Sequence, residues 1–352
     1  MRPSRQLLSL KYLKSSLPKV PTTVEPLSFA TETKARNVDL SSLVWDAKDL
    51  NQYFRFLSFL EPLPAQMSKA DKMFQVLKTK HEWTCASYSD IPDIKVKQKE
   101  EERQYRLDLV EPYQWNDYHK SLQQSRTSFG IETLLLRPLP EVLFVGHTNA
   151  GKSSLINNVF AQKELSRKDS SEADLAFESK QAGFTKCLVC FNVSSKLRLI
   201  DTPGYGNRSI ENQGSLVLDY VLQRPQLRMT YMIVDGVAGF KQEDEQIMNY
   251  LQESKSPFEI VFTRLDEVVK KKFPREIIKK KVLSDEKAAT ALASQGNSQV
   301  VEHFLEMIGN AELIQYSMLS GVHFNNSRCN NILKRRTGYR ELRGSILNSC
   351  GL

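Results

Sequence analysis

One stretch of the sequence, residues 141–160, constrains the fold more than any other. It runs EVLFVGHTNAGKSSLINNVF, in which five residues of strand character lead into the pattern G-x-x-x-x-G-K-[ST] and then into an apolar-periodic segment. In that order of strand, turn and helix, successive backbone N–H groups fold around phosphate oxygens while the positive end of the helix faces the anion. A chance Gly/Lys/Ser turn would lack the flanking strand and helix, so we interpret the motif as a phosphate-binding loop.

The loop assigns roles to its polar side chains. Lys152 is expected to reach the β- and γ-phosphates of a nucleoside triphosphate, and the Ser153 hydroxyl is expected to bind Mg²⁺. The residues predicted to contact the nucleotide here are Gly146, His147, Thr148, Asn149, Ala150, Gly151, Lys152, Ser153 and Ser154.

A second motif of the same site begins 50 residues beyond Gly151. The apolar strand predicted at 197–200 ends in DTPG, whose first residue is Asp201 and whose last is Gly204. An acid at that place can hold the Mg²⁺ shell through water, and a flexible glycine can turn its N–H group toward a γ-phosphate. We therefore expect Asp201 at the metal and Gly204 at the terminal phosphate.

A polar stretch between the two motifs, residues 166–181, is predicted to be a mobile loop. The run GFTK follows it and places Thr185 just before another strand. A threonine in such a loop can bind Mg²⁺ only when the γ-phosphate is present, which makes the loop a switch. The predicted metal ligands are Ser153, Thr185 and Asp201, and the predicted catalytic residues are Asn149, Lys152, Thr185 and Gly204.

The segment after the strand at 259–262 is predicted to select the base. Thr263 and Arg264 precede Asp266, whose carboxylate can accept hydrogen bonds from N1–H and the 2-amino group of guanine. Adenine lacks that pair of donors and would leave a buried carboxylate unsatisfied, so GTP is favoured over ATP. An acid that simply caps a helix is the alternative. The remaining predicted base contacts follow a strand expected at 313–316 and would meet the guanine O6 through backbone N–H groups; they are Ser317, Met318 and Leu319.

Composition places the chain among soluble globular proteins. Of 352 residues, 40% are apolar and 26% charged, which is enough for a sizeable core. No stretch approaches the 18 or more apolar residues of a membrane span. Five scattered cysteines, an odd number, argue against a disulfide framework and favour a reducing compartment.

The formal net charge of +8 is concentrated at the front of the chain. Residues 1–23 hold five basic residues and no acid, are rich in Ser and Leu, and end in two prolines. This pattern is typical of an organellar transit peptide, and a disordered basic tail that binds RNA or lipid is the alternative. We interpret it as a mitochondrial leader, which predicts a protein of the mitochondrial matrix.

Three parts follow along the chain: the leader at 1–23, an N-terminal extension at 24–128 and a nucleotide-binding domain at 129–352. The extension is expected to be mostly helical, with amphipathic helices near 49–60 and 67–77 and a charged helix or linker near 95–106. Three aromatics, Tyr113, Trp115 and Tyr118, are expected to pack it onto the domain or to stack on RNA bases. From 129 onward, short apolar runs alternate with helical patterns, which indicates a mostly parallel α/β sheet. Six strands are predicted, at 141–145, 187–193, 197–200, 230–234, 259–262 and 313–316. Helices are expected after the phosphate-binding loop and at 214–222, 242–253, 274–283, 300–308 and 339–347.

With these motifs in order, residues 129–352 resemble the EngB family of ribosome-assembly GTPases, of the class that also holds TrmE, Era and EngA. The resemblance rests on 146–157 (GHTNAGKSSLIN), 183–186, 199–206 (LIDTPGYG), the strand into Asp235, and 263–266. It implies a Ras-like P-loop GTPase fold: a mostly parallel six-stranded sheet with helices on both faces. Departures from the family are His147-Thr148 for Arg-Ser, Arg264 for Lys, and an insertion at 323–337.

The resemblance also implies chemistry and partners. GTP and GDP with Mg²⁺ would be the ligands, and Asn149 stands where similar GTPases hold K⁺ beside the phosphates, or else it braces the loop. Tyr205 replaces the usual water-orienting Gln and has no amide, so unassisted hydrolysis is expected to be slow. Together with the leader, the family's role implies a monomeric switch on the mitochondrial large ribosomal subunit precursor or its rRNA, without a membrane span.

Two basic regions are candidates for RNA contact, because each Lys or Arg on a phosphate releases counterions. Lysines at 270–272 and 279–281 flank a predicted helix, and the C-terminal region carries Arg328, Lys334, Arg335, Arg336, Arg340 and Arg343. Solvated charged faces are the alternative for the lysine runs. For the whole chain, the competing functions are a non-hydrolysing, nucleotide-stabilised scaffold and an ATP-using P-loop enzyme.

Overall fold

The computed structural model describes residues 38–58, 64–74, 79–161, 187–206, 211–273, 282–283 and 286–352. Within these ranges the helices are α1 (Ala47–Tyr53), α2 (Pro64–Met73), α3 (Pro92–Asp108), α4 (Asp117–Gln124), α5 (Lys152–Phe160), α6 (Glu211–Gln223), α7 (Gln242–Glu253), α8 (Leu265–Lys272), α9 (Glu286–Asn310) and α10 (Tyr339–Ser349). The strands are β1 (Val38–Asp39), β2 (Thr79–Cys85), β3 (Glu141–Gly146), β4 (Leu188–Val193), β5 (Leu197–Asp201), β6 (Leu227–Asp235), β7 (Phe258–Thr263), β8 (Val282–Leu283) and β9 (Leu319–Phe324). The leader at 1–23 lies outside the described residues.

Seven strands form one sheet in the order β2-β4-β5-β3-β6-β7-β9, and β1 pairs with β8 apart from it. Strands β5, β3, β6, β7 and β9 are parallel, whereas β4 is antiparallel to β5 and β2 is antiparallel to β4. The predicted α/β fold with a mostly parallel sheet is confirmed. The sheet has one strand more than the six predicted.

Strand β3 is central because both of its faces are covered by helices. All six of its residues are buried. Val142 and Phe144 pack with α5 and α10 on one face, and Leu143 and Val145 belong to the cluster that holds α1, α6, α7, α8 and α9 on the other. A strand buried on both faces reads as a continuous apolar run, which is why this one could be found from the sequence.

The N-terminal extension supplies the additional edge strand, β2. It runs antiparallel to β4 from Thr79, opposite Val193, to Cys85, opposite Leu188. Its alternation of apolar and polar residues is broken by a bulge near His81, and this break hides the strand from period-2 analysis. In its described residues the extension is therefore mostly helical, with the short β1 and with β2, which completes the sheet.

The predicted strand at 313–316 is wrong. Leu313–Gln315 forms a turn of 3-10 helix, and the last strand, β9, begins later, at Leu319. Both segments are short and apolar, and periodicity alone does not separate a strand from a helical turn at this length.

Other local differences concern the helices and the exposed aromatics. The predicted helix at 274–283 lies mostly outside the described residues, and its last two residues form β8. The pattern at 300–308 is the second half of α9, a helix of 25 residues. Tyr113 and Tyr118 are 82% and 54% exposed, so they do not pack the extension onto the domain as predicted. In the part of the chain that the structure describes, no helix is long and apolar enough to span a bilayer.

Candidate functional site

The candidate site lies at the carboxyl edge of the parallel strands, where the loops after β3, β5, β7 and β9 meet. Parallel strands bring their carboxyl ends to one edge of a sheet, and ligands of open α/β sheets bind there. The loop after β3 is hydrogen-bonded to the loop after β5, since the Thr148 N–H donates to the Tyr205 carbonyl over 2.8 Å. It also contacts the end of β7, where the Thr263 hydroxyl donates to the Ala150 carbonyl. The motifs found separately in the sequence therefore form one site.

The phosphate-binding loop has the backbone that its sequence requires. Asn149 and Gly151 have φ angles of 67° and 87°, in the left-handed region, and α5 begins directly after Gly151. Gly146 is needed for space: a Cβ there would lie 2.7 Å from the Ile233 carbonyl oxygen of β6. The first turn of α5 thus points its free N–H groups into the loop, as an anion site requires.

Lys152 and Asp201 form a buried ion pair at the centre of the site. The Lys152 ammonium contacts the Asp201 carboxylate, and both residues are more than 90% buried. Burial raises the pKa of the Asp201 carboxyl, and the neighbouring Lys152 opposes that rise. Because burial disfavours the charged form of Asp201, its carboxylate needs a neighbouring cation to stay ionised. If Lys152 turned to a nucleotide phosphate, a second cation would have to take its place beside Asp201.

This requirement fits the Mg²⁺ predicted from the sequence. Asp201 and the half-buried Ser153 offer oxygen ligands at the start of α5 and the end of β5. Among the residues that the structure describes, no three His, Cys, Asp or Glu side chains are grouped to hold a metal ion. A Mg²⁺ ion here would therefore need nucleotide phosphates and water for the rest of its shell. Thr185 and the loop at 166–181 lie outside the described residues.

The glycine of the D-x-x-G motif lies against the phosphate-binding loop. A Cβ on Gly204 would come within 2.9 Å of the Thr148 Cα. The Thr148 hydroxyl also donates to the carbonyls of Tyr205 and Gly206, over 3.1 and 3.2 Å. Only glycine allows this close approach, so the loop after β5 packs directly against the loop after β3.

Tyr205 is turned away from this interface. Its ring is buried, and its hydroxyl donates to the Asp244 carboxylate of α7 over 2.6 Å. Burial, with the negative charge of Asp244, raises the pKa of the Tyr205 phenol well above its usual range. A phenol whose hydroxyl is bonded to α7 is not placed to orient a water molecule at the phosphate.

His147, which stands where the family has Arg, fills the space beside Gly206. A Cβ on Gly206 would overlap the His147 ring, and the glycine has a φ of 80°. The ring Nδ1 lies 2.9 Å from the Thr148 carbonyl, and the Lys241 ammonium lies 3.1 Å from Nδ1 and 3.2 Å from Nε2. His147 thus bridges the phosphate-binding loop to α7.

The base-selecting segment follows β7. Arg264 has a φ of 57° and donates to the Asp235 carboxylate over 2.6 Å, and its aliphatic stem lies beside Gly151. Asp266 lies in the first turn of α8 and is 8% exposed. Burial raises the pKa of the Asp266 carboxyl, opposed by backbone N–H groups and by the charge of Arg328. A buried carboxylate at the mouth of the site is the acceptor that guanine recognition requires.

The loop after β9, residues 325–337, packs beside Asp266, the residue predicted to select the base, and this contact was missed by sequence reasoning. Asn330 donates to the Asp266 carbonyl over 2.9 Å, and its side-chain oxygen accepts from Ile332 and Leu333 over 2.7 Å each. The loop closes through Asn326, which pairs with Thr337 in an antiparallel bridge. The run of Asn and Ser directly after an apolar strand was the available signal.

Ser317, Met318 and Leu319 do not lie at the guanine side of the site. Ser317 and Met318 precede β9 and Leu319 is its first residue, and the Met318 carbonyl accepts from the Phe258 N–H at the start of β7. Strands β7 and β9 are parallel, so these residues lie at the opposite edge of the sheet from Asp266. The error follows from the misplaced strand, and residues 325–327 take the position that was assigned to them.

The C-terminal basic region is partly structural. Arg343 is 2% exposed and donates to the carbonyls of Val159 and Ala161 and to Asp71. Arg340 also binds Asp71, over 2.7 Å. These two arginines therefore fasten α10 to α2 and α5 and are removed from the predicted RNA contacts, whereas Arg328, Lys334 and Arg335 stay exposed.

Comparisons with known proteins find relatives of the part of the chain that holds this site. Residues 141–264 match the family model described as "50S ribosome-binding GTPase". The chain is 36% identical over 219 residues to MIOREX complex component 8 of Saccharomyces cerevisiae, covering 62% of each protein. It is 35% identical over 135 residues to the probable GTP-binding protein EngB of Rickettsia rickettsii, covering 37% of this chain and 59% of that protein. The crystal structure of a probable GTP-binding protein engB covers 60% of this chain and 98% of its own, at 16% identity and a TM-score of 0.35. The chain thus spans about three fifths of the curated relatives that it matches.

Proposed function

Since this chain is an EngB-like member of the 50S ribosome-binding GTPase family, we propose that it binds GTP and hydrolyses it to GDP and phosphate. The observation that carries the proposal is the arrangement of two buried carboxylates, Asp201 and Asp266, at one edge of the sheet. The first is paired with the lysine of a phosphate-binding loop, and the second lies at the start of the helix after β7.

In this proposal Lys152 exchanges partners. On nucleotide binding the ammonium leaves Asp201 for the β- and γ-phosphate oxygens, while the free N–H groups of α5 hold the phosphates. Asp201 and Ser153, with Thr185 in the triphosphate state, would hold the Mg²⁺, which supplies positive charge to the phosphates. Gly204 stands against Thr148, where its N–H group can turn to the γ-phosphate.

Guanine selection follows from the burial of Asp266. The carboxylate would accept from N1–H and the 2-amino group, and the plane of Arg264, held by Asp235, would cover the base. Thr263 positions this segment by bonding the phosphate-binding loop. A purine without the two donors would leave the buried carboxylate unsatisfied, at a cost of about 1–3 kcal/mol or more.

The decisive test exchanges the acceptor for a donor. Asp266→Asn is expected to weaken GDP binding by about tenfold or more and to improve XDP binding, because the amide N–H can bond the 2-oxo group of xanthine. Glu267→Gln removes the same charge one residue further along α8 and serves as the matched control. Affinities are measured with GDP, XDP and ADP by titration in Mg²⁺ buffer. Wild-type protein that does not prefer GDP to ADP would overturn the proposal.

For partners and location, we propose a role in assembly of the mitochondrial large ribosomal subunit, in the matrix, as a monomer. The family description, the name of the yeast relative and the basic leader at 1–23 support it. The measurement is sedimentation of a mitochondrial extract with GDP or a non-hydrolysable GTP analogue, followed by identification of the co-migrating rRNA. Equal sedimentation with small-subunit rRNA would contradict it.

The placement of Tyr205 favours a second candidate, a scaffold that binds GTP without turning it over. No side chain at this position reaches toward the phosphates, since Tyr205 is committed to Asp244. The two functions differ in turnover: the GTPase would hydrolyse GTP slowly, assisted by K⁺ at Asn149, whereas the scaffold would not hydrolyse it. Turnover that rises in KCl over NaCl, or on ribosomal particles, supports the GTPase; absence of turnover under all these conditions supports the scaffold.

A further inference from the structure

A basic pocket lies at the edge of the sheet opposite the nucleotide site. It has a volume of about 620 Å³ and lies between α2, β2 and the turn that joins β4 to β5. Its lining consists of Lys69, Lys72, Met73, Lys80, Ser194, Ser195 and Lys196. Four ammonium groups and two hydroxyls therefore surround one concavity, and none of the described residues that line it is an acid.

The acids on the same elements are engaged elsewhere. Asp71, which lies on α2 between two of the lysines, binds Arg340 and Arg343 over 2.7 and 2.9 Å. Glu82, on β2, binds Arg198 over 2.6 Å. Both carboxylates are thus neutralised by arginines of the domain, and neither pairs with Lys69, Lys80 or Lys196.

The lysine ammonium groups are placed for an external anion. Within the described part of the chain, the side chains of Lys69, Lys80 and Lys196 form no ion pair and no hydrogen bond. Like charges gathered around one concavity repel each other, and an anion that enters between them relieves that repulsion. The lysines therefore destabilise one another in the empty pocket and would favour binding of an anion.

The pocket is also firmly built. Ser194 and Ser195 both have left-handed backbone angles, with φ of 53° and 54°, and form the tight turn between β4 and β5. The Ser194 hydroxyl donates to the Met73 carbonyl at the end of α2 over 2.7 Å. The Ser195 N–H donates to the Asn192 side chain over 2.8 Å. These bonds fix the turn against α2, so the three lysine-bearing elements keep their spacing.

We propose that this pocket binds backbone phosphates of a structured RNA, and that it is a docking site contributed jointly by the N-terminal extension and the GTPase domain. This inference rests on the proposed ribosomal role and adds a surface to it. Lysines bind phosphates as point charges, and several of them around one concavity suit the closely spaced phosphates of a nucleic-acid backbone. A membrane-binding surface would add exposed apolar side chains, and none of the exposed large apolar residues lines the pocket.

RNA in this pocket would not block the nucleotide. Strand β5 begins directly after Lys196 and ends at Asp201, so its five residues separate the pocket from the phosphate side of the site. At about 3.3 Å per residue, this separation is roughly 13–17 Å. A docked RNA therefore leaves the carboxyl edge open for GTP.

The test removes three charges from the pocket of the full chain. The variant Lys69→Gln/Lys80→Gln/Lys196→Gln is compared with Lys97→Gln/Lys99→Gln/Lys120→Gln, which removes the same charge from exposed lysines of α3 and α4. The probe is a fluorescent 24-base-pair RNA hairpin, titrated between 50 and 300 mM KCl with GDP present. Losing two to three phosphate contacts should lower the slope of log K against log salt by about two and the affinity at 150 mM KCl by about tenfold or more.

The outcomes separate this inference from the proposed function. Retained GDP affinity and melting temperature in the pocket variant show that the GTPase site is intact. An unchanged salt slope in that variant, or an equal loss in the control, overturns the RNA pocket while leaving the GTPase proposal standing. Binding of the wild type to vesicles with 30% anionic lipid, but not to the hairpin, also overturns it. Failure of both proteins to bind GDP would instead count against the proposed function.

Discussion

Single residues in the site are governed by the cost of burying charge. Asp201 is almost fully buried, and its pKa is raised by that burial and lowered again by Lys152. Removing one partner of such a pair leaves an uncompensated buried charge, which costs about 3–5 kcal/mol. The stability of the nucleotide-free protein therefore depends on Lys152, the same lysine that would bind the phosphates of a nucleotide.

Lys152→Met is expected to destabilise the nucleotide-free protein by about 3–5 kcal/mol at pH 7, and the loss should depend on pH. Without the lysine, the folded-state pKa of Asp201 rises further above its unfolded value. A carboxyl with a raised folded pKa contributes its full stability below the unfolded value of about 4 and loses it as pH rises through the folded pKa. The deficit against wild type, measured by chemical denaturation from pH 4 to 8, should therefore grow with pH.

The double variant Lys152→Met/Asp201→Asn is the control, because it removes the buried charge together with its partner. It should recover most of the stability and show little pH dependence relative to wild type. A deficit of constant size across the pH range would mean that lost packing of the lysine stem, and not the carboxylate, is responsible.

For single residues, the sequence allowed a prediction wherever a motif specifies both the type of residue and its position. Lys152, Asp201 and Asp266 were expected at one site, and the structure brings them to one edge of the sheet; their binding roles stay predictions. The Tyr205–Asp244 bond was not expected, since the partners are 39 residues apart and only the packing of α7 brings them together.

At the scale of elements, the loop at 325–337 decides how firmly the base side is held. Its centre is Asn330, which bonds the backbone of Asp266 and two N–H groups of its own loop. The sequence marked this segment as an insertion at 323–337. Its function was missed because the strand before it was placed six residues too early.

Asn330→Ala is expected to lower GDP affinity by about tenfold while the melting temperature falls by only a few degrees. Three hydrogen bonds are lost, at roughly 0.5–1.5 kcal/mol each, and they hold the start of α8 in place for Asp266. Isothermal titration with GDP and thermal unfolding are the measurements. Asn326→Ala, which loosens the same loop at its far end through Arg335, is the matched control and should affect GDP less. An equal effect of both variants on GDP would mean that the loop acts only through overall stability.

At the scale of the whole molecule, the extension is packed into the sheet and core of the domain. Phe54 packs on Phe324 of β9, with ring centroids 4.9 Å apart, and Phe74 packs on Phe160 of α5 at 6.4 Å. Carboxylates from the extension also bind Arg198 and Arg343, which are 1% and 2% exposed. Sequence reasoning found the helices of the extension, but long-range pairing of β2 with β4 has no local signal. The division at residue 128 stays a prediction about folding units.

Removal of residues 1–128 is expected to destabilise the remaining domain strongly. Phe54, Phe74 and Trp83 each contribute about 2–3 kcal/mol by burial, which corresponds to a melting temperature lower by roughly 12–36 °C for a domain of this size. The deletion also exposes the edge of β4, removes Glu82 from Arg198 and leaves Arg343 without Asp71, so the shortened protein should aggregate on heating. Deletion of residues 1–37 is the control and should keep the melting temperature, because every contact described above lies within 38–352. Melting of the 129–352 fragment within a few degrees of the full chain would show that the extension is an independent attachment, and that the seventh strand adds no stability to the GTPase fold.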